Sequence, residues 1–148
     1  MEEVRYLGLD YGEKRIGIAI TDPLNLFVYP LTTLNNDLNF WKKFTEILNQ
    51  YHVVKIILGY PLKENGEFSS STIAVIEFKE KLEKKIDIPV ALIDERYSSE
   101  IAKGRILQSV PSKRKRRDKS LLDKNAAAVI LEDYLNTLRE NKSSGIEK

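Results

Sequence analysis

The sequence predicts an α/β protein, a five-stranded mixed sheet in which three strands joined by antiparallel hairpins are followed by two parallel ones, all flanked by helices. Three observations predict it. Short apolar, β-branched runs recur along the chain. Only turn residues separate the first three runs, whereas stretches of helical period separate the later ones. Right-handed crossovers then lay strands one, four and five parallel, with the hairpin strands on the other side of strand one.

Residues 4–10 read as a strand buried on both faces. Tyr11-Gly12-Glu13-Lys14 is a turn, and Arg15 to Thr21 returns as the second strand of a hairpin. Asp22-Pro23 breaks it, and Phe27 to Thr33 forms a third strand. Asp37 is placed to cap a helix through Tyr51, with Leu38, Trp41, Phe44, Ile47, Leu48 and Tyr51 turned inward. Val53 to Leu58, closed by Gly59-Tyr60-Pro61, is the fourth strand. After a polar loop containing Gly66, Ser70 or Ser71 caps a helix to about Lys85 that buries Ile73, Ile76 and Leu82. Pro89 to Asp94 is the fifth strand. A helix from Ser98 or Ser99 to about Gln108 follows, then a basic loop over 111–119, then a last helix from Ser120 to about Arg139. Residues 1–140 are expected to form one domain, and the polar stretch 141–148 a flexible tail.

Bulk composition narrows the function classes. The 148 residues are 42% apolar and 31% charged, the mark of a water-soluble globular chain. No apolar run approaches the roughly 18 residues of a membrane span. With no cysteine, disulfides and thiolate metal sites are excluded, and no basic-then-apolar leader opens the chain; a cytoplasmic protein is expected. Net charge is +2, but Lys113-Arg114-Lys115-Arg116-Arg117-Asp118-Lys119 alone carries +5, leaving the rest near −3. A basic block on a slightly acidic body points to a polyanionic partner, against the plainer reading of a solvated segment.

Three acids stand at the ends of buried elements: Asp10 after the first strand run, Glu95 after the fifth, and Asp123 early in the last helix. A buried charge is costly unless paired or bound to a metal. Carboxylates with no cysteine and a lone histidine suit an oxygen-ligand site for Mg²⁺ or Mn²⁺. Each acid has a plain alternative. Asp10 can begin a turn, the adjacent Asp94-Glu95 pair can bridge Arg96, and Asp123 completes a Ser120-Leu121-Leu122-Asp123 capping box. What favours a site is convergence: Asp10 and Glu95 fall on one edge of the sheet, where open α/β sheets place their sites. His52, between a helix and a strand and without a spaced partner, reads as structural.

Gly8-Leu9-Asp10-Tyr11-Gly12-Glu13-Lys14-Arg15-Ile16-Gly17-Ile18-Ala19, followed by Asp22, closely resembles the opening of the YqgF family. Three further blocks agree in order: Gly59-Tyr60-Pro61-Leu62 with Gly66; Asp94-Glu95-Arg96-Tyr97-Ser98-Ser99; and Asp123 with Ala126-Ala127 and Ile130-Leu131. The likeness covers roughly residues 4–138. It implies an RNase H-like fold and a nuclease that matures the 5′ end of pre-16S rRNA or resolves Holliday junctions. It also makes Asp10, Glu95 and Asp123 the metal-binding catalytic acids. The related RuvC resolvases carry a further acid one turn beyond the position of Asp123, where this chain has Ala126 or Ala127.

The expectation is therefore an endonuclease cutting structured RNA with two divalent ions, Lys14, Arg15 and Arg96 holding phosphates and Lys113 to Arg117 extending the track. A four-way DNA junction is the alternative substrate and would call for a two-fold dimer. A binding module without catalysis is the third reading, disfavoured by acids facing phosphate. Monomer and homodimer both stay open.

Overall fold

The computed structural model describes residues 3–61, 63, 65–94 and 119–143. Among them the chain runs β1 (Arg5–Tyr11), β2 (Arg15–Thr21), β3 (Val28–Asn35), α1 (Phe40–Tyr51), β4 (Val53–Tyr60), α2 (Ser70–Lys85), β5 (Val90–Asp94) and α3 (Lys119–Ser143). The strands form one sheet in the order β3-β2-β1-β4-β5. β1–β2 and β2–β3 are antiparallel, while β1–β4 and β4–β5 are parallel, as the crossover argument requires.

Strand alternation divides the side chains between two layers. Leu7, Leu9, Ile16, Ile18, Ile56 and Leu58 point to one face, where Phe40, Phe44 and Leu48 of α1 and Val75, Phe78 and Leu82 of α2 cover them. Aromatic rings fill this layer: Phe40 stacks on Phe44 with centroids 5.1 Å apart, and Tyr11 lies 4.5 Å from Phe78. The opposite face is thinner. Ala19 and Ile57 meet Ala127, Ala128, Ile130 and Leu131 of α3. There a Cβ on Gly8 would stand 2.9 Å from both the Ala127 carbonyl oxygen and Leu131 Cβ, so glycine is what lets α3 lie this close. Further along, Tyr6 meets Tyr134 edge-on at 6.3 Å, and Lys55 Nζ donates to the Tyr134 hydroxyl.

Several expected boundaries shift. α1 starts at Phe40, after Asn39, whose side chain makes no cap bond. Asp37 instead accepts from the Asn39 amide at 2.9 Å, bracing the turn ahead of the helix, so it is not the cap. Leu38 belongs to that turn and is 98% exposed, not inward. α2 is capped by Ser69, not Ser70 or Ser71, in a reciprocal box with Thr72. That sets the inward stripe at Thr72, Val75, Phe78 and Leu82 and leaves Ile73 53% exposed, against the expectation that it is buried. The reason is local: Thr72 Oγ1 also donates to the Pro61 carbonyl, tying the helix start to the end of β4. β3 spans Val28–Asn35 rather than 27–33, and α3 reaches Ser143, so residues 141–143 are helical. The expected helix near 98–108 and the basic loop from 111 through 118 lie outside the described residues; Lys119 opens α3. His52 caps α1 with its backbone, in the left-handed region at φ 51° with its amide on the Leu48 carbonyl.

Candidate active site

Asp10 is the last but one residue of β1, half-buried, and pairs across the sheet with Gly17. Leu9 and Tyr11 pack into the aromatic layer, so alternation turns Asp10 to the face that carries Gly8 and α3. Gly17 flanks it on β2; on β4 the flanking residue is Gly59, next after Leu58, the partner of Leu9. Neither flanking position contributes a side chain of its own.

The β1–β2 hairpin beyond Asp10 is held from β3. Asn36 donates its amide to the Lys14 carbonyl at 2.9 Å and its Nδ2 to the Gly12 carbonyl at 2.9 Å. A Cβ on Gly12 would stand 2.6 Å from the Arg15 carbonyl oxygen, so the turn closes only with glycine. This sets exposed Lys14 and half-buried Arg15 at the sheet edge where Asp10 stands. Sequence reasoning missed Asn36, because a polar residue after a strand has no pattern until the hairpin it clasps is known.

The other acids are placed by their elements. β5 ends at Asp94, which pairs with Tyr60, so the carboxyl ends of β1, β4 and β5 share one edge. Glu95 and Arg96, and with them Lys113, Arg114, Lys115, Arg116 and Arg117, lie outside the described residues. Asp123 lies in α3, one turn before Ala127, while its side chain is outside the described set. β1 and α3 run in opposite senses where they touch, Tyr6 meeting Tyr134 and Gly8 lying against Ala127 and Leu131. Two residues beyond Gly8 comes Asp10, and one turn before Ala127 comes Asp123, so both steps lead toward the same end of the contact. Among the described residues no three His, Cys, Asp or Glu side chains gather as a metal cluster. The donor that Asp10 supplies, a hard carboxylate, fits Mg²⁺ or Mn²⁺.

The RuvX family model, described as "Holliday junction resolvase", matches residues 4–137. The chain belongs to the RuvX (YqgF) family. Among curated RuvX relatives, a protein of Desulforamulus reducens named "Putative pre-16S rRNA nuclease" is 39% identical over 90% of this chain and 98% of its own length. One of the same name from Phocaeicola vulgatus is 38% identical over 90% of this chain and 96% of its own. Among solved structures, the T. thermophilus RuvC in complex with a Holliday junction substrate aligns with TM-score 0.55 and 12% identity, covering 90% of this chain and 97% of that one. The Fowlpox virus resolvase in complex with substrate junction DNA gives 0.53 and 16%, covering 90% and 98%. At such identities these likenesses speak for the fold, which is RNase H-like. No helix among the described residues is long and apolar enough to cross a membrane.

Proposed function

We propose that this RuvX protein is a metal-dependent endonuclease that hydrolyses phosphodiester bonds in structured RNA and matures the 5′ end of pre-16S rRNA. The observation that carries this reading is Asp10: a half-buried carboxylate at the carboxyl edge of parallel strands, flanked by Gly17 and Gly59 on the face under α3. A charged group at that depth suits a ligand better than a core contact. The names of its curated relatives supply the substrate class.

In this reading Asp10, Glu95 and Asp123 hold the metal. When bound, one or two divalent ions would activate the attacking water and neutralise the charge that develops on the phosphate. Lys14 and Arg15 sit where a phosphate entering the edge would pass and orient it; Arg96 and Lys113, Arg114, Lys115, Arg116 and Arg117 extend the cationic track. We place the protein in the cytoplasm, beside its ribosomal substrate.

A second reading, cleavage of four-way DNA junctions, is favoured by the description of the family model. One experiment decides between them. The purified protein is incubated with precursor 16S rRNA and with a synthetic junction, each with Mg²⁺, Mn²⁺ or EDTA. Metal-dependent cutting of the precursor alone is expected. Cutting of the junction alone would replace the RNA reading, and cutting that survives EDTA would remove the metal from it.

A further inference from the structure

At the end of the sheet away from Asp10 the chain exposes apolar side chains on a rigid loop. The loop begins after Thr21, four residues and roughly 13 Å along β2 from Gly17. Leu24, Leu26, Phe27 and Tyr29 are 66, 51, 65 and 53% exposed. Asp22 organises the backbone beneath them: its carboxylate accepts from the amides of Leu26 and Phe27, both at 2.7 Å, and of Leu24 at 3.1 Å. Its own amide donates to the Phe27 carbonyl at 3.0 Å, and Asn25, at φ 56°, donates Nδ2 to the Val4 carbonyl at 3.0 Å. From α3, Arg139 donates to the Leu26 carbonyl at 2.7 Å. With the backbone bonded inward, the apolar side chains are left facing solvent in a fixed arrangement.

Such pre-ordering lowers the entropy that binding costs. Beside the loop lies a cleft of about 270 Å³ walled by Phe27, Val28 and buried Leu135, with Glu132, Asn136 and Arg139 at its rim. Tyr29, paired with Ile20, turns to the other face of the sheet, so Leu24, Leu26 and Phe27 form the patch beside the cleft. Exposed to this degree they present on the order of 300 Å², at the scale of the largest patch a monomer shows. That is less than half the ~800 Å² per partner of a stable dimer. The carboxylates Asp22, in the loop, and Glu132, in the cleft, oppose nucleic acid. Arg139 is the one cation among the residues of loop and cleft, and it is engaged with Leu26.

We propose that the 22–29 loop and its cleft form a docking surface for a protein partner, occupied by a short apolar segment flanked by lysine or arginine. The apolar anchors enter beside Phe27 and Leu135, and the basic flanks meet Asp22 and Glu132. The site lies apart from the Asp10 edge, so the protein can hold a partner and a nucleic acid at once.

The test uses the full chain and a phage library of random peptides about twelve residues long, counter-selected on Phe27→Asp, with cleavage not read. The expected winners carry two or more apolar residues beside lysine or arginine. A selected peptide should shift the amides of residues 24–29 in a ¹H–¹⁵N spectrum and bind at least about tenfold more weakly to Phe27→Asp. Leu24→Gln serves as the second variant, and the melting temperature of each is checked. No enrichment, enrichment of acidic peptides, or equal affinity for the variants would overturn the proposal. So would an oligouridine that shifts these same amides, which would make the surface a nucleic-acid contact. A dimer in sedimentation that Phe27→Asp dissociates would make it a self-interface.

Discussion

The two faces of the sheet are covered in opposite ways. Under α1 and α2 the strands contribute leucine and isoleucine, and the helices answer with phenylalanine, so that layer is thick and filled by rings. Under α3 the strands contribute Gly8, Ala19 and Ile57, and the helix answers with alanines beside Ile130 and Leu131, so at Gly8 the helix comes close to the strand backbone. The first arrangement maximises apolar burial. The second gives up burial next to the one acid that the described strands place on that face, Asp10. Stability is thus concentrated on one side and the proposed chemistry on the other.

The largest expected break in that comparison is Asp10→Asn. It keeps the side chain's shape and removes its charge, and should lower the cleavage rate at least about a thousandfold, ~4 kcal/mol of transition-state stabilisation. Thermal stability should hold or rise. Wild-type turnover by the folded variant would sink the metal proposal. Asp123→Gln comes next, with a large loss of cleavage and about 1 kcal/mol or less of stability, since α3 already includes Ser120 and the expected Ser120–Asp123 capping box does not form. Full activity measured on the preparation used for melting would remove Asp123 from the ligand set.

Phe44→Ala, on the aromatic face, should show the reverse pattern. Losing a fully buried ring should cost about 3–5 kcal/mol in denaturant unfolding. The rate per folded molecule should stay near wild type; a rate that fell with the stability would mean the two faces are coupled. Gly8→Ala sharpens the contrast. Its new methyl must displace Leu131 or the α3 backbone, costing about 1–3 kcal/mol, and should depress cleavage more than Phe44→Ala does.

The sheet order was legible because period and connection length decide it: short apolar runs joined by turns can only be hairpins, and runs joined by helices can only cross over to one side. Helix starts were less so. Asp37, Asn39, Ser69, Ser70 and Ser71 are all acceptable caps by residue type, and the choice among them is made by tertiary contacts, such as Thr72 reaching Pro61. The exposures of Leu38 and Ile73 follow from those choices. Of the site, Asp10 could be read from its place after an apolar run, and it stands at the sheet edge expected. The glycines that flank it acquire meaning only through cross-strand register, and the Asn36 clasp only through the return of β3.

The smallest effect expected concerns acid. Burial alone would raise the Asp22 pKa, but hydrogen bonds from the backbone amides of Phe27, Leu24 and Leu26 outweigh it and hold the group below its usual 3.8. A depressed carboxylate stabilises the native state above its unfolded pKa, and the contribution fades as pH falls through the lower folded value. Asp22→Asn should therefore lower the melting temperature slightly at neutral pH, with the gap from wild type closing below about pH 3.8. A gap constant with pH would mean that the loop's shape does not depend on this charge.

Pro30 stands within β3, the outermost strand of the sheet on that side, opposite Ala19 and next to a bulge in the β2 pairing. A proline can donate no hydrogen bond, and a bulge bends the strand that carries it. An open edge of this kind is where sheets of different molecules fuse into aggregates, and an interrupted one is a poor template. Any other residue at this position would restore a backbone donor to β3, whereas proline leaves the outermost strand one donor short along its length.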